Sequence, residues 1–326
     1  MPGAGHRHAS VTRSGFRFRL NRPGAPSQSR DRRYWLRLAV FFLAALTLAL
    51  VAIPTFLGFL FMTGLLYAPC HSGNLTPAIY DYAWEDVTIQ ARTGGEFRGY
   101  FIPGPTAATI LMPPPFNAGR EARLRQAEML HRHGYSVLTF ESRPCAGLGP
   151  HSLGQAEVAE VADALDYLLG RQDVDPERIG VYGFSSAGAT AVMAAARLPA
   201  LRAVVAEGGY GDFAEETLGP SPDRGLAALF QYLFNRAARL AYRLVTGLDI
   251  NNLSPKDVIG DIEPRPILLI YGSREVSMIG ARSQLAAAGE QTTLWIVEGA
   301  GHGNYLDIAP SEYEARIVGF FDKALK

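Results

Sequence analysis

The sequence predicts an α/β architecture: a mostly parallel sheet with helices on both faces, preceded by one transmembrane helix. Three observations carry this reading. After Pro77, short runs rich in Val, Ile and Leu alternate with stretches of helical spacing, the pattern of a sheet covered on both sides. From Leu38 to Cys70 no Asp, Glu, Lys, Arg or His occurs, and a bilayer core needs only about 20 apolar residues of helix. Between Gly208 and Pro264 the alternation stops, which predicts a helical insertion at about 209–263, ahead of the penultimate strand.

Taken in chain order, residues 1–37 hold nine Arg against one acid, Asp31, and the Gly, Pro, Ser and Arg composition reads as a disordered leader. The anchor is expected at 38–66, with Pro54 kinking the helix or ending its regular part. A cleaved signal peptide is the rival reading, but its apolar core runs to about 7–15 residues and this run is longer. Pro69 also stands where a lipoprotein cleavage site before Cys70 wants a small residue. Basic flanks stay cytoplasmic, so the leader is expected inside and residues 71–326 on the exoplasmic side.

The soluble part opens on AWEDVTIQAR (83–92) and EFRGYFIP (96–103), two strands around Thr93-Gly94-Gly95. ATILMP (108–113) and YSVLTFE (135–141) are apolar strands, with helical spacing over 120–134 between them. A long amphipathic helix is expected over 151–172, then a strand at 178–184 and an Ala-rich helix at 186–198. AVVAEG (203–208), PILLIYG (266–272) and TLWIVEG (293–299) are further strands, and 311–325 is a closing helix. Residues 224–248 form an amphipathic helix that fits a substrate lid, an ordinary surface helix or a helix resting on the membrane.

The formal net charge of zero gives no general attraction to nucleic acid, and none is expected as a partner. Cys70 and Cys145 are too few for a disulfide framework or a thiolate metal site; they could pair in an oxidising compartment, but are read as two unrelated thiols. No dinucleotide fingerprint, phosphate loop or metal-ligand cluster occurs, so no cofactor is expected.

The sharpest local signal is Gly183-Phe-Ser-Ser-Ala-Gly188, where a strand runs straight into a helix. A nucleophilic Ser on such a turn needs small residues two before and two after it, and Gly183 and Ala187 flank Ser185 in those places. Ser186 is the alternative nucleophile, but its flank at minus two is the bulky Phe184. The helix N-terminus beyond Ser185 favours a developing anion. The second signal is Glu298-Gly-Ala-Gly-His-Gly-Asn-Tyr305, which puts His302 on a short loop after the last strand, positioned as a general base for Ser185. The third partner should be a carboxylate beyond the strand before that one, which makes Glu275 the expected acid; Glu207 and Asp212 are the alternatives.

From about residue 84 onward the chain resembles the α/β-hydrolase superfamily, in particular its dienelactone-hydrolase-like, Bem46-like and prolyl-oligopeptidase-like branches. The residues that carry the resemblance are Asp173-Val-Asp-Pro-Glu-Arg-Ile-Gly180 ahead of the turn, the Gly299-Ala-Gly-His-Gly-Asn304 loop and Phe140-Glu-Ser-Arg143. The resemblance implies a Ser–acid–His triad that cleaves a carboxylic ester, thioester or amide. The loop after the third strand departs from the family's His-Gly: it reads Leu111-Met-Pro-Pro-Pro-Phe-Asn-Ala-Gly119. Proline has no N–H to give an oxyanion, so the donors are expected from Asn117 or Phe116, with Ser186. A small-molecule acyl ester or a lipid-like ester is the expected substrate. A small-peptide peptidase and a non-catalytic binding or scaffold protein on the same fold are the competing readings.

Overall fold

The computed structural model describes Gly3 and residues 28–219 and 224–326. The described residues divide into two units, one ending at Leu50 and one running from Val51 to Lys326. The first helix, α1 (Gln28–Leu66), has Pro54 inside it and continues through it. It begins ten residues' worth of chain earlier than the anchor predicted from Leu38, so the last part of the expected disordered leader is helical. Arg, Gln and Leu are good helix formers, and an apolar helix already nucleated extends cheaply into such a flank. Apart from Gly3, the remainder of the leader lies outside the described residues.

Eight strands follow: β1 (Glu85–Gln90), β2 (Glu96–Ile102), β3 (Thr109–Met112), β4 (Ser136–Phe140), β5 (Ile179–Phe184), β6 (Leu201–Glu207), β7 (Ile267–Gly272) and β8 (Thr292–Val297). They form one sheet in the order β1-β2-β4-β3-β5-β6-β7-β8. The β1–β2 and β2–β4 pairs are antiparallel and all later pairs are parallel. The parallel strands β3, β4 and β7 are buried along their whole length, which explains their unbroken apolar runs.

The helices are α2 (Leu124–Arg132), α3 (Arg143–Ala146), α4 (Glu157–Leu169), α5 (Ser186–Ala195), α6 (Leu226–Thr246), α7 (Pro255–Val258), α8 (Met278–Ala287), α9 (Tyr305–Ile308) and α10 (Pro310–Leu325). Side chains of α4 and α5 fill the core on one face of the sheet, and those of α2 and α10 fill it on the other. The helix expected over 151–172 starts only at Glu157. Leu153 and Gly154 have positive φ, and the Glu157 carboxylate accepts the Ser152 and Gly154 N–H groups at 2.8 Å each, closing the helix from its own first turn. The helix α8 has no amphipathic stripe, and periodicity did not reveal it.

Two contacts tie the end of α1 to the domain. Met62 and Leu66 are fully buried in the same core as α4 and α5, and the Leu66 carbonyl accepts the His151 N–H at 3.2 Å. A Cβ on Gly58 would overlap the Phe234 carbonyl, so the absence of a side chain lets α1 and α6 approach at backbone distance. The expectation of two unrelated thiols is corrected: Cys70 and Cys145 form a disulfide across 75 residues of sequence. Counting cysteines could not show their proximity. It comes from a bridge in which His71 N–H bonds the Asn117 carbonyl at 2.7 Å and Gly119 N–H bonds the His71 carbonyl at 3.0 Å. That pairing lays the segment after α1 along the loop beside Cys145.

Candidate active site

The site lies at the carboxyl ends of the parallel strands. Ser185 joins β5 to α5 with φ 58° and ψ −127°, a backbone conformation that costs a non-glycine residue about 1–3 kcal/mol. The turn is that tight because a Cβ on Gly183 would overlap the Ala187 carbonyl, which only glycine avoids. The Ser185 N–H is held by the Glu207 carbonyl at 2.7 Å, so the turn is pinned to β6. Ser186 begins α5, and its N–H is among those that a helix leaves without an internal acceptor.

The loop after β8 brings His302 over this turn. Its Nε2 lies 3.0 Å from Ser185 Oγ, and its Nδ1 lies 2.9 Å from Glu275 Oε2. Glu275 follows β7, and its carboxylate is sunk beneath the loop. Gly272 N–H donates to Oε1 at 2.6 Å, Tyr305 OH also donates to Oε1, and Ser277 OH donates to Oε2 at 2.9 Å. Burial pushes the Glu275 carboxyl up, but the hydrogen bonds from His302, Tyr305, Gly272 and Ser277 outweigh it and leave the pKa below the ordinary carboxylate value. An ionised Glu275 at Nδ1 keeps the lone pair on Nε2, facing Ser185, which is the arrangement that lets an imidazole remove a serine proton.

The alternative acids are occupied elsewhere. Glu207 is fully buried, with Arg123 at 3.0 Å and Tyr182 OH at 2.7 Å, and burial raises its pKa. Asp212 accepts the Glu215 N–H at 2.9 Å and lies 3.5 Å from Lys256. Neither bonds His302.

The loop 113–119 divides its expected roles unequally. Phe116 lines the cavity that holds Ser185, Ser186, Glu275 and His302. Asn117 sits at φ 51°, fully buried, with its Nδ2 donating to the Ala68 carbonyl at 2.8 Å, and it is absent from the cavity wall among the described residues. The cavity is about 530 Å³ and is walled mainly by apolar side chains, among them Leu65, Leu153 and Phe213. Of the insertion expected at about 209–263, Tyr210, Phe213, Glu216 and Thr217 line the cavity, and α6 supplies no wall residue among the described residues. Instead, α6 turns its buried face to the core, where Tyr242 OH bonds the Ser152 carbonyl at 2.8 Å.

Sequence reasoning gave no role to four residues around the histidine. The Phe184 ring packs 4.8 Å from the His302 ring, and the Arg123 guanidinium lies 4.2 Å over Phe184. Tyr305 holds Glu275, although it ended the loop already singled out. Gly208, at φ 58°, leaves room for the imidazole: a Cβ there would stand 2.9 Å from its Cε1 and Nδ1. The Gly-Gly pair directly after a strand was the available signal for that last feature.

Residues 101–222 match the model of the X-Pro dipeptidyl-peptidase (S15) family. An uncharacterized protein of Mycobacterium tuberculosis is 26% identical over 227 residues, which cover 68% of this chain and 73% of that one. A thiohydrolase of Aspergillus aculeatus is 30% identical over 118 residues, 34% of this chain and 37% of its own. Among solved structures, a Pyrococcus furiosus esterase superposes with a TM-score of 0.62 at 21% identity, over 79% of this chain and 99% of the esterase.

Proposed function

We propose that this chain, which has the α/β-hydrolase fold, is a serine hydrolase that cleaves carboxylic ester or thioester bonds through an acyl-enzyme on Ser185. The observation that carries the reading is the unbroken hydrogen-bonded series Ser185–His302–Glu275, at 3.0 and 2.9 Å. In the first half-reaction, Ser185 Oγ attacks the acyl carbon while His302 Nε2 takes its proton. Glu275 holds the Nδ1–H and stabilises the imidazolium. The Ser186 N–H and an N–H of the 116–117 loop steady the oxyanion, Phe116 being the one whose residue faces the cavity. His302 then returns the proton to the leaving alcohol or thiol, and water repeats the sequence to release the acid.

The family match over 101–222 favours a second reading, a peptidase for small peptides, which would use the same groups. Turnover of an X-Pro p-nitroanilide against p-nitrophenyl butyrate separates the two. A faster ester reaction supports the esterase reading, and a faster anilide reaction replaces it.

The same proposal takes α1 as an uncleaved anchor. Its helix of 39 residues spans about 58 Å, against a hydrocarbon core of about 30 Å. Cleavage before Cys70 would strip Met62 and Leu66 out of the core, a loss that argues against a removable signal sequence. A Cys70–Cys145 disulfide belongs in an oxidising compartment, in keeping with an exoplasmic domain behind an Arg-rich cytoplasmic leader.

A further inference from the structure

We propose that the cavity above Ser185 takes the acyl chain of a neutral bilayer lipid, which reaches it along the last turns of α1. The inference rests on the serine-hydrolase and anchor readings and names the substrate class of that site. Its starting point is Leu65, a residue of the apolar helix itself, which forms part of the wall around Ser185 and His302. Counted from Leu38, the first residue past Arg37, about 20 residues of span end near Leu57. Leu65 lies eight positions further on, or about 12 Å along the helix, roughly twice the depth of one headgroup layer. The catalytic wall and the bilayer boundary are thus linked by two turns of one apolar helix.

The surface beside those turns is apolar as well. Phe61 packs on Phe234 with ring centroids 5.6 Å apart, and Phe234 stacks on Phe230 at 6.4 Å. At the cavity mouth, Val276 and Ile279 are 95% and 75% exposed, an apolar rim that water alone would not favour. Scattered exposed apolar residues are ordinary on a protein surface, but Leu65 of the anchor helix, Val276 and Ile279 all line the cavity that holds Ser185. The wall holds no Lys or Arg among the described residues, so it offers no permanent positive charge to a phosphate or free carboxylate. The one further acid, Glu216, is spent on the Gly211 and Asp212 N–H groups at 2.6 and 2.9 Å. That lining suits the hydrocarbon of an uncharged ester, and its volume of about 530 Å³ falls inside the range of roughly 300–1,000 Å³ that encloses small ligands.

The test uses the full chain reconstituted in phosphatidylcholine vesicles, with p-nitrophenyl palmitate dissolved in the bilayer and p-nitrophenyl butyrate in the water. The two esters share a leaving group, so the ratio of their kcat/KM values reads the acyl pocket. The proposal expects the palmitoyl ester to be preferred. It also expects Leu65→Trp, which fills the wall, and Ile279→Lys, which charges the rim, each to lower the palmitoyl-to-butyryl ratio by about tenfold. Ile279 is a surface position, so that variant keeps the test sound if Leu65→Trp folds poorly; labelling of both by a fluorophosphonate reports an intact site. Turnover of butyrate with no palmitoyl preference, or a ratio unmoved in both variants, overturns the lipid inference and leaves the hydrolase standing. Failure of both esters together with an unlabelled Ser185 overturns the hydrolase reading, and this inference with it.

Discussion

Replacing Glu275 by Gln changes one oxygen to an NH2 group and leaves the shape of the site almost unaltered. The native carboxylate accepts from His302 Nδ1 at 2.9 Å on one oxygen, and from Gly272 N–H at 2.6 Å and Tyr305 OH on the other. The amide oxygen can keep only one of these sides. If it stays with Gly272 and Tyr305, the NH2 faces Nδ1, and the imidazole must move its proton to Nε2. That proton then points at Ser185 Oγ, 3.0 Å away, where a lone pair is needed. The wrong tautomer in a triad of this kind costs about 10⁴ in rate, or about 5.5 kcal/mol of transition-state stabilisation. Glu275→Gln should therefore lower kcat/KM on p-nitrophenyl butyrate by about 10³–10⁴-fold, and slow fluorophosphonate labelling in step. Glu207→Gln serves as the comparison, since Glu207 binds Arg123 and Tyr182. A loss of less than tenfold in Glu275→Gln, beside a larger one in Glu207→Gln, would refute the assignment of the acid.

Three further outcomes follow from the same geometry. Gly208→Ala places a methyl 2.9 Å from the His302 ring at a positive φ, and misplacing the imidazole by such a step should cost about 10²-fold in kcat/KM while the protein stays folded by circular dichroism. Leu66→Ala removes a fully buried side chain and should cost about 2–5 kcal/mol, read as a lower Tm in detergent; an unchanged Tm contradicts the seating of α1 in the core. The Glu275 pKa lies below its ordinary value of 4.5, so its stabilising contribution is complete above that value and is lost as pH falls through the folded-state pKa. The Tm gap between wild type and Glu275→Gln should accordingly be wide at neutral pH and close under acid conditions. A gap that widens on acidification runs against the sign.

The meeting of Ser185, His302 and Glu275 was legible because each sits just past a strand whose apolar run is visible in the sequence, and strand ends are where side chains converge. The eight-stranded sheet was legible for the same reason, since its central members are buried on both faces. Other features depend on neighbours that no local pattern reveals. Cys70 meets Cys145 only because His71 pairs with the 117–119 loop. Tyr305 reaches Glu275 only after the chain turns at Gly303, whose φ is 87°. The amphipathic stripe of residues 224–248 fitted a lid, a surface helix or a helix on the membrane alike, because a stripe does not name what it faces. Its buried face meets the core through Ala237, Ala238, Ala241 and Tyr242, and the side of α1 through Phe234.

The central claim is that Ser185 is the nucleophile. Its most direct test is covalent labelling of the full chain by a fluorophosphonate, wild type beside Ser185→Ala, with the modified peptide located by mass spectrometry. The account predicts one adduct, on Ser185, that disappears in the variant. A wild-type protein that takes no label, or a variant that labels as before, would contradict it.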